Sequence, residues 1–377
     1  MIEQANPVRL AVIGVGHLGK IHARLVQNLP GARLVGVVDP VAELRDQVAE
    51  ELRTTALPNH EPLAGQIDAA IIATPTRFHY AVALDLLRRG VHVFVEKPIT
   101  LSVSDADQLI ETAASKNLVL QVGHVERFNP ALTAAQPHLS EPKYVDAVRT
   151  GSFTCRSTDI GVVLDLMIHD IDIVLSLVQE EVISVEALGA AVFGPNEDWA
   201  QARLTFSGGC VANLSASRVA HRQERTMHVV TPDCFATIDF ATRQAQLVRP
   251  SEAVLGGEID VNALSPDEKM RLKEQLFTEY LPLTDLQVSD SNALQQEQVN
   301  FLAAIRGQSQ VQVSGRDGRN ALDVAERVLT SMAGHRWEGG LSGGAVGPRI
   351  ESRQSTLRGP HWHRAGQGVI RGRRRAG

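Results

Sequence analysis

The chain has 377 residues, enough for about two domains, and its 44% hydrophobic and 21% charged content suits ordinary buried cores. No apolar run is long enough for a membrane-spanning helix. The net charge of −6 is uneven: residues 341–377 hold eight Arg and one Glu, so the rest carries −13. Such an acidic body argues against nucleic acid as the main ligand.

Val8 to Ile13 (V-R-L-A-V-I) is an apolar run suited to a buried parallel strand. It ends in Gly14-Val15-Gly16-His17-Leu18-Gly19, a G-x-G-x-x-G. A helical pattern follows, with Leu18, Ile21, Leu25 and Leu29 on one face. In such a motif the first glycine permits a tight turn, the second lets backbone approach a pyrophosphate, and the third lets helix and strand pack closely. The helix N-terminus offers free N–H groups and a positive dipole end to phosphate oxygens. A second strand, Arg33 to Val38, delivers Asp39 about twenty residues after the glycines, where a carboxylate accepts hydrogen bonds from ribose hydroxyls. That carboxylate would repel a 2′-phosphate, so NAD is expected rather than NADP.

Residues 41–52 look helical. Ile67 to Ala73 reads as a strand ending at Thr74-Pro75-Thr76, and His79 and Tyr80 begin a helix that Gly90 stops. Val91 to Val95 is a strand that ends in Glu96-Lys97-Pro98. Ser104 is expected to cap a helix through Ala114, with Asp105 and Asp107 in its first turn. Leu118 to Val122 runs into Gly123-His124 and then Arg127-Phe128-Asn129-Pro130. Strands alternating with helices make a doubly wound parallel sheet, expected over residues 1–125.

The rhythm then changes. Strand-like segments cover residues 144–153, 183–193, 201–206, 210–217, 226–230, 234–240 and 244–248. Ser207-Gly208-Gly209 is the clearest hairpin. One helix interrupts at about 163–178. This reads as an α+β unit, residues 126–335, on a mostly antiparallel, open-faced sheet. A short helix is expected near 267–277, then two more at 292–305 and 318–332. Residues 339–377 are rich in Gly and Arg without a period, and disorder is expected there. Cys155, Cys210 and Cys234 lie far apart with no C-x-x-C, so neither disulfides nor zinc is expected. A reducing cytoplasm fits, and the start lacks the marks of a signal peptide.

Three candidate groups converge from two segments. Lys97, at the end of a strand in the nucleotide cleft, can hydrogen-bond a substrate hydroxyl and stabilise developing negative charge on its oxygen. Asp165 and His169 are spaced i, i+4, which places them on one face of a helix. Histidine has the right ordinary pKa to take a hydroxyl proton, and Asp165 can orient it or raise its pKa. A metal site lacks a third ligand at readable spacing. Asp170 and Asp172 read as structural or solvated. Arg127, Arg218 and Arg225 could supply bidentate contacts to a diphosphate.

The ordered set G-x-G-x-x-G, Thr-Pro-Thr, Glu-Lys-Pro and D-x-x-x-H resembles the glucose-fructose oxidoreductase / inositol dehydrogenase / MocA (Gfo/Idh/MocA) family over about residues 7–335. The resemblance implies a Rossmann domain with NAD, with Lys97 contacting substrate, His169 carrying the proton and Asp165 beside them. It places Thr74, Pro75, His79 and Glu96 along the NAD pocket. Gly123-His124, Arg127 through Pro130, Asp165 through Asp172 and Ala216 through Val219 resemble a branch that oxidises C3 of UDP-N-acetylglucosamine. There Arg127, Asn129 and Arg218 would bind substrate. Oxidation of a free sugar or inositol, an NAD-dependent glycoside hydrolase and a non-catalytic NAD-binding regulator are the rival readings. The resemblance also implies a homodimer or homotetramer, and an aminotransferase downstream. The Gly/Arg-rich tail has no counterpart in it.

Overall fold

The computed structural model describes residues 6–154, 159–193 and 195–335. Cys155 and the Gly/Arg-rich tail lie outside them. The chain is an α/β protein with two sheets. The first is all parallel, in the order β3-β2-β1-β4-β5-β6. Its strands are β1 (Val8–Ile13), β2 (Ala32–Val38), β3 (Thr55–Leu57), β4 (Ala69–Ile72), β5 (His92–Glu96) and β6 (Leu120–Gly123). Helices α1 (His17–Gln27), α2 (Ala42–Leu52), α3 (His79–Arg88) and α4 (Val103–Ser115) connect them. The strand order reverses beside β1, so the carboxyl ends of β1 and β4 open a crevice.

Three local expectations are corrected here. β3 was not foreseen, because a three-residue edge strand with an exposed Thr55 carries no apolar run. The cap of α4 is Ser102, whose hydroxyl accepts from Asp105 N–H, and not Ser104. The buried face of α1 is Gly19, His22, Ala23 and Val26, while Leu18, Ile21 and Leu25 are only half-buried. The contact of Gly19 with the glycine turn sets the helix rotation, and it turns His22 inward with it.

The second sheet has eight strands in the order β14-β13-β12-β11-β7-β10-β9-β8. These are β7 (Tyr144–Thr150), β8 (Val182–Ala190), β9 (Trp199–Phe206), β10 (Val211–Ser217), β11 (Glu224–Val230), β12 (Phe235–Asp239), β13 (Gln244–Val248) and β14 (Leu283–Asp285). Every pairing is antiparallel except β7 with β10. The chain enters it through α5 (Pro130–Ala135). A π-helical turn, Val163–Met167, leads into α6 (Ile168–Val178). Two short helices, α7 (Glu252–Leu255) and α8 (Pro266–Glu274), lie in the polar stretch, followed by α9 (Ala293–Ile305) and α10 (Gly315–Gly334). β7 alternates strictly, with Val145, Ala147 and Arg149 buried under the helices and Tyr144, Asp146, Val148 and Thr150 on the other face. Cys210 and Cys234 are free and buried.

The last helices return to the first sheet. Phe301 and Leu302 of α9 share a core with Leu10, Val12, Ile71 and Phe94, and the Phe94 and Phe301 rings meet edge-on at 5.8 Å. Just before α10, Val122 N–H bonds Val313 C=O, and Gln121 bridges Ser314. The amphipathic pattern of α9 says which residues are buried, not which sheet they meet. Removing the Phe301 ring opens a cavity in the nucleotide-binding half. Phe301→Ala should cost about 3–5 kcal/mol, read from the shift of the urea unfolding midpoint.

Candidate active site

Each glycine of the turn after β1 has its own steric reason. Gly14 sits at φ +86°, and a Cβ there would lie 2.7 Å from the Ala73 and Thr74 backbone. A Cβ on Gly19 would lie 1.8 Å from the Gly14 carbonyl oxygen. At Gly16 the Cβ position has nothing within 4 Å. Two glycines are therefore demanded by the protein's own packing, and the third faces an open hollow. Gly16 is also the N-cap of α1 and supplies no side-chain acceptor, so the first-turn N–H groups stay available to an anion. His17 is exposed at the helix start and Leu18 half-buried behind it.

Asp39 is buried at the end of β2. Its carboxylate accepts from Val15 N–H at 3.0 Å and Val41 N–H at 2.9 Å, which ties the glycine turn to the β2 end. Thr74 and Pro75 lie where β4 ends, and among the described residues the buried Thr74 hydroxyl has no hydrogen-bond partner. The open cradle and this unpartnered hydroxyl fit a dinucleotide lying across the β1 and β4 ends.

The Glu-Lys-Pro loop is held from behind. His79 is fully buried between two loops, its Nδ1 at 2.8 Å from Pro98 O and its Nε2 at 2.8 Å from Thr74 O. Burial lowers its pKa, so the neutral ring donates to one carbonyl at a time. His79 thus fastens the pocket walls to each other. The Lys97–Pro98 peptide is cis. Glu96 accepts from His22 Nε2 at 2.7 Å, and the other nitrogen of His22 accepts from the Gln298 amide at 2.8 Å. That arrangement fits the neutral Nε2–H tautomer. Lys97 N–H donates to the second Glu96 oxygen at 3.3 Å.

Glu297, also from α9, brings a carboxylate within 4.8 Å of His22 and Glu96. Burial, then the Glu96 charge, pushes its pKa well above the ordinary range. His22, Glu297 and Gln298 were absent from the sequence reading. Their separation from Glu96, on α1 and α9, left no local signal.

Lys97 is 14% exposed and reaches across to the second half of the chain. Its Nζ donates to Asp165 C=O at 2.6 Å and to Asp165 Oδ1 at 3.2 Å. Asp165 therefore seats Lys97 and does not orient His169, whose buried Nδ1 has no partner among the described residues. Asp165 lies in the π turn Val163–Met167, and His169 in the α-helix that follows it.

His169 is half-buried, edge-on to His124 with ring centroids 6.2 Å apart. Burial lowers its pKa most, followed by the positive charges of Lys97, Arg149 and Arg225 together with His124. It stands neutral, ready to accept a proton. His124 is wholly enclosed, neither ring nitrogen has a hydrogen-bond partner among the described residues, and burial lowers its pKa to about 3.

The residues expected to bind substrate are instead tied into the framework. Arg127 pairs with buried Asp172 at 3.4 Å and bonds Gln312 C=O. Asn129 caps α5 and donates to Glu126 and to Phe240 C=O. Arg218 bonds Asp198 at 2.6 Å and Ile160 C=O at 3.0 Å, with Phe153 under its guanidinium. Asp170 is structural, as read, and takes a bidentate contact from buried Arg149, which also meets Glu126. Burial pushes the Asp172 carboxyl up to about 7.

A parallel sheet with an open glycine cradle, facing a lysine and a neutral histidine, defines an oxidoreductase that uses a nicotinamide dinucleotide. The chain belongs to the Gfo/Idh/MocA family. Residues 8–124 match the model described as an oxidoreductase family with NAD-binding Rossmann fold, and residues 133–233 match the GFO/IDH/MocA C-terminal domain. It is 37% identical to the UDP-N-acetylglucosamine 3-dehydrogenase of Acidithiobacillus ferrooxidans, over 86% of this chain and 97% of that protein. A solved structure of that enzyme superposes with a TM-score of 0.76 at 35% identity, covering 87% of this chain and 98% of that one. The chain is also 33% identical to scyllo-inositol 2-dehydrogenase (NAD(+)) of Bacillus subtilis, over 57% of this chain and 68% of that one.

Two outcomes test the geometry. Gly16→Ala should fold with an unchanged melting temperature and bind NAD more weakly, whereas Gly14→Ala and Gly19→Ala should lose thermal stability. Lys97→Met should raise the His169 pKa, because one of the charges opposing the imidazolium is gone. The His169 ring protons in an NMR titration report this directly.

Proposed function

We propose that this protein oxidises the C3 hydroxyl of UDP-N-acetylglucosamine, or of a close UDP-N-acetylhexosamine, with NAD+. The observation that carries the reading is the Lys97 ammonium, held against Asp165 and flanked by a neutral His169. An ammonium has three N–H donors. Asp165 occupies two, and the third is free for a substrate oxygen. His169 takes the hydroxyl proton as the C–H hydride leaves. The bound dinucleotide supplies the hydride acceptor, and Gly16, the α1 N-terminus and Asp39 hold it. Asp165 acts by placing Lys97.

The near full-length likeness to the A. ferrooxidans enzyme supports the choice of substrate. The inositol dehydrogenase among the relatives supports a free polyol as the second reading. Residues 1–125 are taken as the cofactor unit and 126–335 as the substrate unit. Assembly into a homodimer or homotetramer, a cytoplasmic site of action and delivery of the keto sugar to an aminotransferase belong to the same proposal. No helix among the described residues is long and apolar enough to cross a membrane, which accords with it.

Incubation with NAD+ and, in turn, UDP-N-acetylglucosamine, myo-inositol and glucose should give NADH with the nucleotide sugar. NADH from the polyols alone would reject the assignment, and sugar release without net NADH would point to a hydrolase. Lys97→Ala and His169→Asn should each lower kcat by about 10²–10⁴-fold while NAD binding, followed by fluorescence quenching, is retained.

A further inference from the structure

The substrate half buries several arginines, and their partners differ in one respect. Arg149 is neutralised by Asp170 and Glu126, Arg127 by Asp172, and Arg218 by Asp198. Arg225 is half-buried in β11 and has no side-chain hydrogen bond or carboxylate partner among the described residues. It stands directly across from Arg149 in the β7–β11 ladder. Cross-strand residues in register leave the same face of a sheet. Here that is the face covered by α6, since Arg149 bonds Asp170 from it. Met227 and Val229 continue the row and are buried.

Arg149 bonds two carboxylates, whereas the Arg225 donors bond none among the described residues. Arg225 thus leaves the sheet toward α6, the helix that carries His169 and Asp170. Its charge is felt at both His169 and Asp170. A guanidinium fork is the side chain best suited to grip phosphate oxygens in pairs.

We propose that Arg225 grips the diphosphate of a nucleoside-diphosphate sugar while the sugar ring lies over Lys97 and His169. This rests on the nucleotide-sugar reading above and adds the residue that discriminates it from a neutral polyol. A neutral substrate offers the Arg225 fork no anionic oxygens to grip. A diphosphate on C1 completes the only cation of this buried group, among the described residues, that the protein leaves without a carboxylate.

The test is calorimetric titration of UDP into the NAD-loaded full-length protein, for the wild type, Arg225→Gln and Arg225→Lys. NAD affinity serves as the check on folding. Arg225→Gln should weaken UDP binding about ten- to a hundredfold, the loss of one charge-assisted contact. Arg225→Lys should recover part of it. UDP binding that is absent in the wild type, or equal in wild type and Arg225→Gln, overturns the proposal. Should Arg225→Gln also lose NAD, Arg225→Lys decides: intermediate UDP affinity supports the proposal and wild-type affinity overturns it. UDP binding that depends on Arg225, in a protein that makes no NADH from UDP-N-acetylglucosamine, would sink the substrate reading and leave this one standing. Turnover of UDP-N-acetylglucosamine with an unchanged KM in Arg225→Gln would do the reverse.

Discussion

The site depends on one contact across the two halves of the chain, the Lys97 ammonium on the carbonyl and carboxylate of Asp165. Neither partner could be placed by its own element alone. Lys97 extends from a loop at the end of β5, braced from behind by His22 through Glu96 and by His79 through Pro98. Asp165 sits in the π turn Val163–Met167 and offers both its backbone carbonyl and its carboxylate. The ammonium bonds both the backbone and the side chain of one residue, so its position is fixed by the fold as well as by a rotamer. A group meant to hydrogen-bond a reacting oxygen gains most from being held still before the substrate arrives.

Charge is arranged to the same end. A histidine that is to accept a proton must be neutral in the free enzyme, and in this hollow it is kept so by burial first and by neighbouring cations second. The nearby carboxylates bond cations and not the imidazole: Asp165 on Lys97, Asp170 and Glu126 on Arg149, and Asp172 on Arg127. The Lys97 ammonium is left with a donor that suits the oxyanion developing during hydride transfer. Glu297 extends the pattern behind the Glu-Lys-Pro loop. Burial and the Glu96 charge both oppose its ionisation, which disfavours a second negative charge beside Glu96.

What was legible in the sequence was whatever rests on short-range geometry. The glycine turn announces itself because each glycine answers a contact within one strand, one turn and one helix. Asp39, the ends of β4 and β5, and the Glu-Lys-Pro loop follow from the alternation of strand and helix. Most strands of the second sheet were visible as short segments separated by turns, but their register was not. Arginines behave differently. Their role is set by whichever carboxylate lies opposite, and Asp170 and Asp172 are 21 and 45 residues away from the arginines they hold. Sequence could name Arg127, Arg218 and Arg225 as candidate anion binders, but not say which two were already taken.

The pair Asp165 and His169 shows the same limit within a single helix. Their spacing is the one that aligns side chains on an α-helix, and the inference from it was sound for that geometry. The segment Val163–Met167 adopts a π turn instead. Glu197, from the loop before β9, accepts from Val163 N–H at 3.1 Å, and the Glu197 carbonyl takes Val162 N–H at 2.9 Å. A carboxyl group about thirty residues downstream thus secures the entry to the turn, and no reading of the helix alone contains it. From that turn Asp165 bonds Lys97, and the His169 Nδ1 has no partner among the described residues. A carboxylate bonded to Nδ1 would raise the His169 pKa, while Asp165 placed on Lys97 lets the histidine stay neutral beside a firmly seated ammonium.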